Sequence, residues 1–198
     1  MSKIIENPII ILNAPAQSGK DTLAALLKQE LPTVQLTQFK NPLFYLYCHT
    51  AGVDYTEFAE LYQQQGWKDT HNVDLNNHTP RELLIHISEN YIKPFFGKDY
   101  FGKALCNQIK FKESSLEKEF TWVIPDGGFN TETSDLLESF GDRVVCIQFT
   151  RDGKTFEGDS RGWITNIPKT IYLEHPNDPV LFKDLVLNTL DENYFKIN

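Results

Sequence analysis

Pro8-Ile9-Ile10-Ile11-Leu12 is an unbroken apolar run of strand length, and Leu23-Ala24-Ala25-Leu26-Leu27 follows it at helical spacing. The pattern predicts a strand over residues 7–13, then a helix from about Gly19 to Leu31 that Pro32 stops. Val34–Phe39 alternates in part and reads as a second strand. A helix over Pro42–Ala51 closed by Gly52 comes next, followed by one capped by Asp54 that runs to about Gln65 and is closed by Gly66. Residues 67–78 are polar and irregular and read as a surface loop. Thr79-Pro80-Arg81-Glu82 is a capping box with Pro at the first helical position. Leu83, Leu84, Ile87 and Tyr91 continue that helix until Pro94 ends it, and a further helix from about Lys98 is expected to bury Phe101, Ala104, Leu105 and Ile109.

Phe120–Ile124 is a short apolar run closing on Pro125-Asp126, expected as a buried strand, and a helix over about Thr131–Ser139 follows. Arg143–Phe149 is the clearest strand, residues 151–163 form a charged, Gly-containing loop, and Thr170–Leu173 is expected as the last strand. Asp178-Pro179 opens a closing helix with Leu181, Leu185 and Val186 turned inward. Strands separated by helices predict an α/β fold with a mainly parallel five-stranded sheet covered on both faces. In such sheets ligands sit at the carboxyl ends of the strands. The segments Phe39–Pro42, Asp126–Phe129 and Thr150–Arg161 should then share one edge with whatever follows the first strand.

The 198 residues, 40% of them hydrophobic and 13% aromatic, suit one folded α/β domain with a small insertion. A net charge of −8 argues against general attraction to nucleic acid or membranes, so any anion site has to gather its cations locally. Cys48, Cys106 and Cys146 are widely spaced and form no Cys-x-x-Cys, which predicts buried thiols of a reducing compartment. The five histidines form no i,i+4 pair and no zinc pattern. Met1-Ser2-Lys3-Ile4 opens without a signal-peptide pattern and no run approaches membrane-spanning length, so a cytoplasmic protein is expected.

The first strand leads into Asn13-Ala14-Pro15-Ala16-Gln17-Ser18-Gly19-Lys20-Asp21-Thr22. Strand, tight loop ending in Gly-Lys, then helix is the context of a phosphate-binding loop. Backbone N–H groups from Ala14, Ala16, Gln17, Ser18 and Gly19 into the first helical turn at Asp21 and Thr22 would converge on one spot. The helix dipole and the Lys20 ammonium add to them. Relative to Gly-x-x-x-x-Gly-Lys-[Ser/Thr], Ala14 replaces the first glycine and Asp21 displaces the hydroxyl to Thr22. Ala14 must therefore reach the loop with negative φ or open it slightly. A metal would find Thr22, Asp21 or Asp126. Asp126 stands at a strand tip before Gly127-Gly128, either holding a metal or a hydroxyl, or capping a turn. Arg151, Lys154 and Arg161 give the 151–163 loop three cations and make it either a lid over charged groups or a solvated hairpin. Arg81 either clamps a phosphate or serves as a surface helix partner.

With these residues assembled, the chain resembles the bacteriophage deoxynucleoside monophosphate kinases and their P-loop relatives. The likeness rests first on Ser18-Gly19-Lys20-Asp21-Thr22-Leu23-Ala24, then on Gln38–Leu43, Arg81–Leu84, Asp99–Leu105, Val123–Glu132, Arg151 and Asp159-Ser160-Arg161. It implies a three-layer P-loop NTPase fold over residues 1–198, with residues 42–112 as a helical acceptor-side insertion and 150–163 as a lid. It implies a kinase that moves the γ-phosphoryl group of ATP, with Mg²⁺, onto a (deoxy)nucleoside monophosphate. Lys20, Asp126, Arg151 and Arg161 would be catalytic, and Phe39, Lys40, Arg81, Phe129 and Glu132 would face the acceptor. Small-molecule nucleotides would be the partners, a homodimer is compatible with it, and a phage protein would work in its host's cytoplasm. Relatives often carry an arginine just after the strand-end aspartate. Gly127-Gly128 stands here instead, so Arg81, Arg151 or Arg161 would have to supply that cation. Two other readings remain at this point: a P-loop nucleotide sensor with weak catalysis, and a kinase of another small phosphorylated metabolite.

Overall fold

The structure, a computed structural model, describes residues 4–64, 66–193 and 195–197. Met1-Ser2-Lys3 and the Gln65 end of the expected helix lie outside the described residues. In chain order the strands and helices begin with β1 (Ile5–Glu6), β2 (Ile9–Asn13), α1 (Lys20–Glu30) and β3 (Gln35–Leu36). They continue with α2 (Asn41–Ala51), α3 (Tyr55–Gln63), α4 (Pro80–His86), a π-helical segment (Ile87–Ile92), α5 (Lys93–Phe96) and α6 (Tyr100–Leu116). Then come β4 (Trp122–Ile124), α7 (Asn130–Phe140), β5 (Val144–Thr150), β6 (Thr170–Glu174), α8 (Pro179–Glu192) and β7 (Phe195–Lys196). The chain forms two compact units: Lys40–Phe101 is one, and the remainder, up to Phe39 and from Gly102 onward, is the other.

The larger unit is the α/β body. Its five-stranded sheet has the order β3-β4-β2-β5-β6, and every pairing in it is parallel. All five residues of β2 and the first six of β5 are buried, as expected of strands covered on both faces. On one face Ile10, Leu12, Val145, Ile147 and Phe149 pack with Leu23 and Leu27 of α1 and Phe182, Val186 and Leu190 of α8. By the two-residue period of a strand, Ile9, Ile11, Ile124 and Cys146 turn to the other face. On that side Glu113 of α6 accepts from Trp122 Nε1 at 2.9 Å, and Leu136 of α7 is fully buried. Burial pushes the Cys146 thiol up to about 12, and all three cysteines are buried free thiols.

Three expectations in this unit need correction. Thr170–Leu173 is not the last strand: Phe195–Lys196 follows and pairs in parallel with Ile5–Glu6 as a small second sheet. Two-residue strands are too short to carry a readable alternation. The Val34–Phe39 strand shrinks to Gln35–Leu36. In α8, Leu181 is 59% and Leu185 38% exposed, while Phe182, Val186 and Leu190 form the buried stripe at four-residue steps. The aromatic ring of Phe182, against Phe149 at 4.8 Å, sets that face.

The unit Lys40–Phe101 is helical. Gly52 ends α2 in the left-handed region, and Asp54 caps α3 by accepting from the N–H groups of Thr56 and Glu57. Its core is aromatic, with Phe44 and Tyr47 each 4.9 Å from Phe58. Residues 67–78 hold two 3₁₀ turns and an antiparallel bridge, Asn72 to His78, where a loop was expected. Both halves of the Thr79/Glu82 capping box form. Pro94 does not end the helix. It sits at the start of α5, after a segment whose wider turn relaxes the clash a proline makes with the preceding turn. That extra residue per turn also places Ile92 beneath Ile87, so Ile92 is buried and Tyr91 stands 49% exposed.

In the α/β body, Arg143 donates from Nη1 to Glu113 Oε2 (3.0 Å) and from Nη2 to Glu113 Oε1 (2.9 Å). The pair is mostly buried, and Glu113 also accepts from Phe120 N–H at 3.1 Å. Burial raises the Glu113 pKa, but Arg143 and these two N–H donors outweigh it and hold the carboxyl below its usual value. Glu113→Ala should lose about 3 kcal/mol in urea unfolding, because it strands a buried guanidinium. A carboxylate lowered in the folded state contributes stability above its unfolded pKa. In the parent that contribution should therefore fade as pH falls through the folded value, and the Glu113→Ala variant should lack this part of the acid sensitivity.

Candidate phosphate-binding site

The loop Asn13–Lys20 joins the central strand β2 to α1. Ala14 keeps a negative φ, as its Cβ requires, and the left-handed positions are Gln17 (φ 60°) and Gly19 (φ 99°). Gly19 is the N-cap of α1, and no side chain caps that helix. Apart from bonds within helices and strands, the loop's amides make one backbone hydrogen bond among the described residues, a long one from Ser18 N–H to Pro15 O at 3.4 Å. An uncapped helix start with this few internal bonds is suited to receive anionic oxygens. Lys20, only 6% exposed, folds back so that Nζ donates to Ala14 O (2.5 Å) and Pro15 O (2.7 Å). The Ser18 hydroxyl is fully buried with no hydrogen-bond partner among the described residues. A buried, orphaned hydroxyl is costly unless a ligand or water completes it. Asp21 and Thr22 lie exposed in the first turn of α1.

Asn13 ties this loop to its neighbours. Its Nδ2 donates to Gly127 O (3.2 Å) and Gly162 O (3.0 Å). Its Oδ1 accepts from Gln148 Nε2 and Ile164 N–H, both at 2.9 Å. The segments after β2, β4 and β5 are thus brought to one edge, as the carboxyl-end rule expects.

Asp126 Oδ1 accepts from Phe39 N–H at 3.0 Å, which joins the end of β4 to the segment after β3. The paired glycines serve close approach. A Cβ on Gly127 would stand 2.4 Å from Ile11 Cγ2, and one on Gly128 would lie within 2.8 Å of Arg161 Cβ, Cγ and Cδ. The Arg161 side chain therefore crosses the position just after Asp126. Arg161 donates from Nε to Asp159 Oδ1 (3.1 Å) and from Nη2 to Asp159 Oδ2 (2.7 Å), and this contact holds the Asp159 carboxyl below its usual range.

Arg151 lies on the other side of the loop, its Nη1 3.6 Å from the point a Cβ on Gly19 would occupy, and its Nε donates to Asn177 Oδ1 at 3.2 Å. Lys154 Nζ donates to Gln17 Oε1 at 3.0 Å. Beside them His175, which the sequence did not single out, is 5% exposed. Its Nδ1 accepts from Asn177 N–H at 2.9 Å, so in the neutral ring the proton sits on Nε2, facing Gly19. Burial lowers the His175 pKa and the Arg151 charge lowers it further, which keeps the ring neutral. The available signal was its place just past the last predicted sheet strand, on the edge that carries ligands.

The structure thus gathers Lys20, Asp126, Arg151 and Arg161 of the expected residues around one edge. Phe129 is the partly exposed N-cap of α7, and Glu132, expected at the acceptor, is 9% exposed in its first turn. Lys40 and Arg81 belong to the helical unit. There Lys40 Nζ lies over the rings of Phe44 (5.3 Å) and Tyr62 (5.1 Å), and Arg81 Nη2 donates to Asp69 Oδ2 at 3.1 Å. Among the described residues no three or more His, Cys, Asp or Glu side chains are grouped to hold a metal, and no helix is long and apolar enough to cross a membrane.

No protein-family model and no curated protein matches the chain. Among solved structures, a gluconokinase from Sinorhizobium meliloti 1021 is similar at a TM-score of 0.49 and 8% identity, over 95% of this chain and 94% of that one. A likeness of that size says nothing about activity.

Asn13→Asp should test the knot behind the loop. The carboxylate keeps both acceptor contacts but opposes the carbonyls of Gly127 and Gly162 without a donor, so thermal unfolding should show a loss of about 3 kcal/mol. An unchanged melting temperature would mean that these loops are held elsewhere.

Proposed function

We propose that the chain is a P-loop phosphotransferase that moves the γ-phosphoryl group of ATP onto a small phosphorylated acceptor, most specifically a (deoxy)nucleoside monophosphate. The observation that carries the reading is the uncapped Gly19–Lys20 helix start, with the orphaned Ser18 hydroxyl and the Lys20 ammonium beside it and Arg151 and Arg161 on the loop that borders it. Main-chain N–H groups and Lys20 would hold the β- and γ-phosphates. For the ammonium to reach them it exchanges its contacts with Ala14 O and Pro15 O for phosphate oxygens. His175, Asn177 and Arg151, beside Gly19, would flank the rest of the donor nucleotide. Arg161, above Gly128, would meet charge developing on the group in flight, in place of the arginine that relatives carry after the strand-end aspartate. Catalysis of this type is positioning and charge stabilisation, with little covalent work for the protein.

Mg²⁺ fits such a site without a protein cage, since it is usually held by one or two carboxylates, water and the phosphates themselves. Thr22 and Asp126, with Asp21 near the same turn, would be its protein contacts, and when bound it would neutralise phosphate charge. The nucleoside monophosphate acceptor and the bacteriophage kinship rest on the sequence resemblance, with Phe39, Lys40, Arg81, Phe129 and Glu132 as the residues to test. A nucleotide sensor is the second reading. It is favoured by the commitment of Arg161 to Asp159 and of Lys20 to the loop's own carbonyls.

A coupled ADP-release assay over a panel of ribo- and deoxynucleoside monophosphates should show turnover with one or a few of them. Lys20→Ala should lower kcat/KM by roughly a thousand-fold while circular dichroism and melting stay near the parent. Tight ATP binding with no phosphate transferred to any monophosphate would establish the sensor instead. Full activity of Lys20→Ala would end the assignment of the phosphates to this loop.

A further inference from the structure

The connection from β5 to its parallel neighbour β6, residues 151–169, contains no helix. Parallel crossovers usually carry one, and it covers the sheet face they cross. Here Trp163 and the residues after it partly cover the outer part of that face. Ile164 and Ile167 are buried, but Trp163 is 41% and Tyr172 75% exposed. A groove of about 520 Å³ is left, lined by Gln148, Phe149, Thr150, Trp163, Tyr172, Leu173 and Glu174.

The chemistry of this groove is one-sided. Gln148 pairs with Tyr172 and Thr150 with Glu174 in the β5–β6 register, so these four side chains share one face. Gln148, 4% exposed, donates from Nε2 to Asn13 Oδ1 and to Ile164 O at 2.6 Å. Those bonds fix its amide and leave Oε1 as an acceptor without a partner among the described residues. Glu174 takes part in no ion pair or side-chain hydrogen bond among the described residues. The walls are the π systems of Trp163, braced edge-on by Phe156 at 4.9 Å, and of Tyr172. No cation lines the groove. The cations nearest in sequence, Arg151, Arg161, Lys169 and Lys154, donate to Asn177, Asp159, Asp142 and Gln17.

We propose that this groove binds a small organic ammonium ion with an apolar body, held between Trp163 and Tyr172 and neutralised by Glu174. Aromatic faces attract such cations through their quadrupole, and a bare carboxylate with an amide oxygen adds charge and an acceptor. An anion would face the Glu174 carboxylate with no cation in the lining to offset it. A neutral apolar body would leave the carboxylate and the amide oxygen unanswered. This proposal does not rest on the proposed phosphate chemistry.

Isothermal titration calorimetry on the full chain with choline chloride, at constant ionic strength, tests this against the neutral isostere 3,3-dimethyl-1-butanol. Choline should bind, and the alcohol should bind about five-fold more weakly or worse. Glu174→Gln and Tyr172→Ala should each weaken choline by about five-fold. Tyr172→Phe, which keeps the π face, should bind as the parent does, and so should the remote charge control Glu192→Gln. Circular dichroism verifies that each variant is folded. Equal binding of the alcohol, no heat with choline, or a folded Glu174→Gln that binds unchanged would each overturn the proposal.

Discussion

One buried amide holds the functional edge of this protein together. Asn13 ends the central strand; three of its four contacts go to segments that follow other strands, and the fourth is with Gln148 inside β5. A neutral amide is the side chain that can give to two carbonyls and accept from two N–H groups at one point. A carboxylate lacks the donors and an aliphatic side chain lacks both. The low dielectric of the interior makes the completed set strong and any gap in it expensive. Gly127, Gly162 and Ile164 are therefore positioned relative to the Asn13–Lys20 loop by chemistry, and Arg161 inherits its place over Gly128 from them.

Much of this was readable from the order of residues. The apolar runs of β2 and β5 are long, β5 being interrupted by Gln148, because both faces of those strands are buried, so burial itself wrote the signal. The Ser18-Gly19-Lys20 loop was readable because left-handed backbone and a mobile cation need particular residues at fixed spacing. The caps at Asp54 and Thr79 were equally local. What escaped was set by contacts distant in sequence. Nothing near Pro94 announces a widened turn that tolerates it, and the inward face of α8 was chosen by Phe149, some thirty residues earlier. Asn13 and Gln148 look like ordinary strand ends until the chain brings them together. His175 has no motif at all; its meaning comes from Gly19 and Arg151 alongside it.

The positive charge of the site is present but already engaged. Lys20 lies on two carbonyls of its own loop, and Arg161 on a carboxylate two residues away. For a chain with an overall charge of −8 this is an economical resting arrangement, since no cation is left buried without an acceptor. On the proposed function these would be the groups to exchange partners with an anion, while the Asn13 set lies behind them.

If the proposed phosphate chemistry holds, the two-pronged grip of Arg161 on Asp159 bears on selectivity. Any incoming anion has to outcompete a tethered carboxylate that is always at hand, which sets a threshold on the visitor's charge. A monovalent carboxylic acid offers the guanidinium little that it does not already have. A dianionic phosphate offers more charge and the same forked geometry. On that reading the tether would act as a filter, screening out weakly charged metabolites before any shape-based recognition begins.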